Sequence, residues 1–296
     1  MNISAKLVKE LRDKTGAGMM DSKKALVETN GDIEKAIEFL REKGIVTAVK
    51  KSSRIAAEGL VGMYVSEDKK TASVVEVNSE TDFVAKNEEF KEFVNILAKL
   101  IVENDVKDVE DLKKISYDGN ETVEEKLTAL IAKIGENMNI RRFEKVTTDG
   151  KIVEYSHANG SIGVLVEINE DGDLEVAKNI ALQITAMAPE YLNKEEVPAD
   201  VIAKEENIIR EQIREEGKPA EIAEKMLSGR LHKNLYEQVV LLEQKYVKEN
   251  KETVAEYLKS TNTEIKSFVR MAKGEGLEKR EDNFAEEVAK QMRGEF

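Results

Sequence analysis

The chain repeats itself, and the repeat restricts its fold more than any other feature. A shift of 91 residues with no gap lays Gly59 on Gly150, Tyr64 on Tyr155, Glu76 on Glu167, Asn78 on Asn169 and Asp82 on Asp173. Within it, Val74-Val75-Glu76-Val77-Asn78 falls over Leu165-Val166-Glu167-Ile168-Asn169. Both copies read strand, turn, strand, acidic turn, helix, the strands β-branched and the helices apolar at helical spacing. A duplicated unit of this kind predicts an α+β core of two related subdomains facing each other. The copies part at the acidic turn, where Phe83 meets Leu174 and Thr81 meets Gly172. The repeat keeps a scaffold and varies its tip.

That tip is Asn78-Ser79-Glu80-Thr81-Asp82-Phe83-Val84-Ala85-Lys86. Residues 72–77 read as its strand, and Phe83, Phe90, Val94 and Leu97 as the apolar side of one following helix. Thr81 is placed to cap that helix, and Asp82 to sit on the positive end of its dipole. Phe83 then has two readings: it roots the helix on the strand, as apolar side chains at helical spacing do, or it is an exposed wedge for a partner.

Around this core the pattern gives four further parts. Residues 1–44 read as three short helices, capped by Ser4 and Asp32 and stopped at Lys43-Gly44, with a spacing that resembles ubiquitin-associated modules. Met19 and Met20, adaptable side chains, follow the Gly16-Ala17-Gly18 loop. Residues 45–58 read as a linker with Lys50, Lys51 and Arg54 as a basic cluster. The first subdomain spans 59–146, including an amphipathic helix to Ile134 and an alternating strand over 138–146. The second spans 147–190 and 236–265, interrupted at 191–235 by an antiparallel helical hairpin turning at Gly217-Lys218-Pro219. In the hairpin, Val201, Ile202, Ile208, Ile209 and Ile213 are expected to face Ile222, Met226 and Leu227. Residues 237–247 read as a strand rejoining the core and 263–271 as a helix. A final helix over 283–291, carrying Phe284 and Val288, completes a helical C-terminal module over 266–296.

Composition narrows the function. The net charge of −13 and pI near 5.0 disfavour general nucleic-acid binding. There is no cysteine, which removes disulfides and cysteine-based metal or redox sites and fits a reducing, cytoplasmic setting. No apolar run reaches membrane length, and no signal-peptide pattern opens the chain. Two histidines, His157 and His232, assemble no triad and no metal spacing. No catalytic residue, metal ligand or cofactor is assigned, and binding is left to carry the function.

Several long motifs in order give the chain a resemblance. Leu11-Arg12-Asp13-Lys14-Thr15-Gly16-Ala17-Gly18-Met19-Met20-Asp21, the run from Glu76 to Lys86, the run from Ile134 to Arg142, and Gly274-Glu275-Gly276-Leu277-Glu278-Lys279 are together similar to the elongation factor Ts family. The resemblance implies a nucleotide-exchange factor for the GTPase elongation factor Tu, not an enzyme. It implies that Thr81, Asp82, Phe83 and Val84 enter the partner near its Mg²⁺ and phosphate site. It places Leu11, Arg12, Met19 and Met20 on a docking face, turns His157 toward the partner, and favours the wedge reading of Phe83. The hairpin makes a homodimer an expectation. The competing reading is a non-catalytic adaptor built on the ubiquitin-associated-like module and the hairpin.

Overall fold

The computed structural model describes residues 3–217, 219–249 and 251–278. Helices α1 (Ala5–Thr15), α2 (Met19–Glu28) and α3 (Ile33–Lys51) form a bundle with its own small core of Val8, Leu11, Ala25, Leu26 and Ala36. Ser4 and Asp32 accept backbone N–H groups at the starts of α1 and α3, as expected. The stop expected at Gly44 does not occur: α3 runs on to Lys51, so only residues 52–57 connect. Gly44 is a crossing point instead. A Cβ there would lie 3.6 Å from Ala132 and Thr128 of a later helix, in ordinary contact. Before that point Arg41 meets Glu125, and the extra turns of α3 bring Lys51 Nζ to the Gly135 carbonyl.

Strands β1 (Glu58–Val65) and β2 (Thr71–Ser79) lead into α4 (Asp82–Ala85), α5 (Glu88–Glu103), α6 (Val109–Lys114), α7 (Val123–Ile134) and β3 (Met138–Thr147). The first sheet is antiparallel in the order β1-β2-β3. The second copy gives β4 (Lys151–His157), β5 (Ile162–Ile168) and α8 (Leu174–Met187). The hairpin follows as α9 (Ala199–Glu215) and α10 (Ala220–Leu231), with a π turn over His232–Tyr236 running into α11 (Glu237–Val239). The last described elements are α12 (Val254–Lys259) and β6 (Ile265–Ala272), the second sheet being ordered β4-β5-β6.

Two expectations are overturned here. Residues 263–271 are not a helix: β6 occupies most of them and supplies the second sheet's third strand, so residues 266–272 belong to that sheet. Its apolar spacing fits either period in so short a run, and pairing along β5 decides it. Residues 237–247 are not a strand: Glu237–Val239 and Leu241–Glu243 are short helical turns, and the Gln244 N–H closes back on the Val240 and Leu241 carbonyls. Val240 packs into the hairpin and Leu241 into the second sheet's core. In the hairpin, Ile209, Ile213, Leu227 and Leu231 are buried as a seam, whereas Ile208 and Ile222 face outward. The helix expected over 283–291, with Phe284 and Val288, lies outside the described residues.

Side-chain parity builds the layers. On β2, Val75 and Val77 point to α5 and α7, while Ala72 and Val74 point to the second sheet. On β5, Val164, Val166 and Ile168 face α8, and Leu165 faces the first sheet. The result is helix, sheet, sheet, helix, with a shared layer of Val61, Val74, Ile152, Leu165 and Met271 between the sheets. The repeat extends to backbone detail. Each copy carries a β-bulge after its matched glutamate, Glu76 or Glu167. Each matched glycine lies against its partner strand so closely that a Cβ would strike a carbonyl, Val77's for Gly59 and Ile168's for Gly150. Those two carbonyls are themselves matched by the repeat.

Candidate functional site

At the end of β2 the chain does something its repeat does not. The single helix expected from Phe83 onward is two helices. The four-residue α4 ends at Lys86, and Asn87 starts α5 by accepting the N–H groups of Glu89 and Phe90. The break turns Phe83 off the apolar face that Phe90, Phe93, Val94 and Leu97 bury. Phe83 is 76 % exposed. In the second copy, Asp173 caps the unbroken α8 directly, and Leu174 packs on the core.

Thr81 holds the cap position, but its hydroxyl does not cap the helix. It donates to Glu136 Oε1 at 2.7 Å, and the Thr81 N–H donates to Glu136 Oε2 at 2.9 Å. In return, the Asn137 N–H donates to Glu80 Oε1. The Asn137 side chain reaches on to the Arg54 carbonyl at 2.8 Å, in the segment that follows α3. Val84 and Ala85 are buried beneath the tip. On its outer side, Lys86 Nζ lies 2.6 Å from Asp82 and 5.3 Å from the Phe83 ring centroid. The Lys86 hydrogen bond holds the Asp82 carboxyl below its usual range.

Asp82 and Lys86 also border a cleft of about 740 Å³ between the two sheets, whose far wall is the end of β4 with Tyr155 and Ser156 and the turn beyond it with Asn159. His157, the last residue of β4, is exposed beside that wall, with Nδ1 3.2 Å from the Tyr155 hydroxyl. The tip and the His157 end of β4 therefore flank one cleft, although they are far apart in sequence.

The expected docking residues divide. Met19 and Met20 are 60 % and 75 % exposed at the start of α2, and Arg12 is exposed on α1. Leu11 is fully buried in the bundle core. There it packs the bundle beneath the expected docking face rather than standing on its surface. Val84 is likewise a root of the tip rather than part of its surface. His232, on the hairpin, pairs with Glu243 and Glu237.

Sequence reasoning missed Glu136 as a tip residue, although it lay in one of the quoted motifs. It also missed the partners of Glu76. Parity points this side chain between the sheets, where it has no exposure. It meets Arg142 Nε at 2.7 Å, Arg141 at 3.0 Å, Asn78 Nδ2 at 3.0 Å and the Gly274 N–H at 2.7 Å. Burial alone would raise its carboxyl, but the Gly274, Asn78, Arg142 and Arg141 donors outweigh it and hold it below the usual range. Gly274 needs a positive φ of 68°, and a Cβ there would strike the Ala57 carbonyl. Glu76 thus locks β2 and β3 to the turn after β6.

Among the described residues the site is a braced tip that presents the exposed Phe83, and no cluster of three or more His, Cys, Asp or Glu side chains could hold a metal. A family model described as Elongation factor TS matches residues 80–275. The elongation factor Ts of Clostridium novyi (strain NT) is 54 % identical over 303 residues, which cover 98 % of this chain and 99 % of that protein. Those of Clostridium botulinum (strain Alaska E43 / Type E3) and Clostridioides difficile (strain 630) are 53 % and 49 % identical, each over at least 98 % of this chain and 99 % of theirs. The chain belongs to the elongation factor Ts family, a family of translation elongation factors.

Proposed function

We propose that the chain binds GDP-loaded elongation factor Tu and promotes GDP release by disturbing that partner's Mg²⁺ and phosphate site, so that GTP can rebind. The observation that carries this reading is the contrast between Phe83 and Leu174. At matched positions of one scaffold, the second is packed on its core and the first is held out in solvent. A large apolar side chain held out on a braced tip is built to be buried in something else.

In a P-loop GTPase, GDP is held by loop amides, a lysine and Mg²⁺. Mg²⁺ tolerates little departure from octahedral geometry. Insertion of Phe83 beside that site shifts its walls and turns loop amides away from phosphate. Asp82 offers a carboxylate to partner backbone groups opened by the shift. Thr81 and Val84 fix the tip from either side. Arg12, Met19 and Met20 supply docking area on the bundle, and His157 supplies a contact across the cleft. The coupling is reciprocal: as the factor weakens nucleotide binding, nucleotide weakens the factor's binding by the same ratio.

The test is release of a fluorescent GDP from elongation factor Tu at fixed Mg²⁺. Wild-type protein is expected to accelerate release, and Phe83→Ala to lose most of that acceleration while still binding. No acceleration by folded wild-type protein overturns the reading.

Self-association belongs to the same reading. Ile208 and Ile222 lie outside the hairpin's internal seam, and a second copy is the proposed occupant of that face. Sedimentation velocity is expected to show a dimer that Ile208→Asp weakens; a monomer at all concentrations overturns it.

A further inference from the structure

We infer that Glu136 is a positioning residue for the exchange tip. It acts on GDP release through Thr81 and Phe83 without itself touching the partner's nucleotide site. The inference rests on the exchange reading above and adds the residue that aims the wedge.

Three observations carry it. First, both carboxylate oxygens of Glu136 are committed to one residue, taking the N–H and the hydroxyl of Thr81. Two bonds from one planar group to one residue fix the orientation of the strand end as well as its position. Second, the grip is returned: Glu80 takes the Asn137 N–H, so residues 80–81 and 136–137 clasp each other from both sides. The clasp joins the end of β2 to the loop between α7 and β3. Third, the molecule contains its own control. In the second copy no carboxylate holds residue 172. The Gly172 N–H closes a tight turn on the Asn169 carbonyl, and the Asp173 N–H donates to Thr263 Oγ1. There the following side chain, Leu174, is secured by the core and needs no aim from outside. The clasp occurs in the copy whose tip side chain has no packing of its own.

The chemistry follows from what an exposed wedge needs. Phe83 is largely exposed, with the Lys86 ammonium over its ring. Its direction is set by the backbone of a four-residue helix, too short to be stable alone. That helix is anchored below by Val84 and Ala85 and at its start by Glu136. Without the carboxylate, the Thr81 N–H and hydroxyl turn to water, and the tip samples directions that do not insert.

The experiment measures GDP release from elongation factor Tu against concentration of the full chain, for wild type, Glu136→Ala, Glu136→Gln, Phe83→Ala and the Glu136→Ala/Phe83→Ala double variant. Thermal unfolding checks that each is folded. Glu136→Ala is expected to lower the maximal release rate roughly tenfold, the scale of lost hydrogen bonds to a charged group, with a half-saturating concentration within about twofold of wild type. Glu136→Gln keeps the geometry, since its carbonyl accepts the Thr81 N–H and its amide donates to the hydroxyl, and is expected to retain the rate. The double variant is expected to be no slower than Phe83→Ala, because Glu136 acts through Phe83. A wild-type rate in Glu136→Ala, or fully additive losses in the double variant, overturns the inference. If wild type itself fails to accelerate release, the exchange reading falls, and amide exchange at Thr81 still judges the clasp. Faster exchange in Glu136→Ala upholds it, and equal exchange removes it.

Discussion

Glu76 is a charge with no exposure, and it is retained because four sets of donors surround it. Taking a carboxylate out of water costs several kcal/mol, so each donor matters beyond its own bond. Glu76→Ala leaves Arg141 and Arg142 facing each other over a void and is expected to cost about 3–5 kcal/mol in urea unfolding at neutral pH. The pH dependence has a definite sign. The folded carboxyl is held below its ordinary value, so its contribution is present above that value and is lost as pH falls through the folded one. Unfolding series at stepwise lower pH should therefore show a steeper acid decline in wild type than in Glu76→Ala. In the sequence, the residue was legible as a repeat match. Its partners were not, because alternation says which face a side chain takes and nothing about which distant turn will meet it.

At the level of elements, the sequence was read best where local pattern alone decides. The strands of both copies, the amphipathic α7 and the capped starts of α1 and α3 follow from local pattern. It failed where a second requirement intervened. Gly44 looked like a helix stop because glycine ends helices, yet α3 continues through it and packs there against α7. That difference is testable. Alanine at 44 would make ordinary contacts with Ala132 and Thr128 and removes a helix-interior glycine, so Gly44→Ala is expected to stabilise by up to about 1 kcal/mol. Gly44→Leu is expected to push α3 from α7 and expose the Lys51–Gly135 contact to protease, seen as faster cleavage between bundle and core. The break between α4 and α5 was missed for a related reason. Apolar spacing near 3.6 persisted across Lys86-Asn87, and only the Asn87 cap marks a new start.

Over the whole molecule, the duplicated design was legible and its closure was not. A repeat predicts two similar sheets, but each sheet takes its third strand from a different place, β3 from between the copies and β6 from beyond the hairpin. The candidate site inherits this division. Phe83, Asp82 and Thr81 stood out in sequence, whereas the brace that holds them came from the β3 side and needed coordinates. The closure also sets an order on how such a chain can be made. Glu76 receives the Gly274 amide across 198 residues, and the strand that delivers it is the last described. A ribosome that has released the first sheet has therefore produced a layer whose central charge is missing one donor, and that layer waits, unfinished, until residue 274 has emerged.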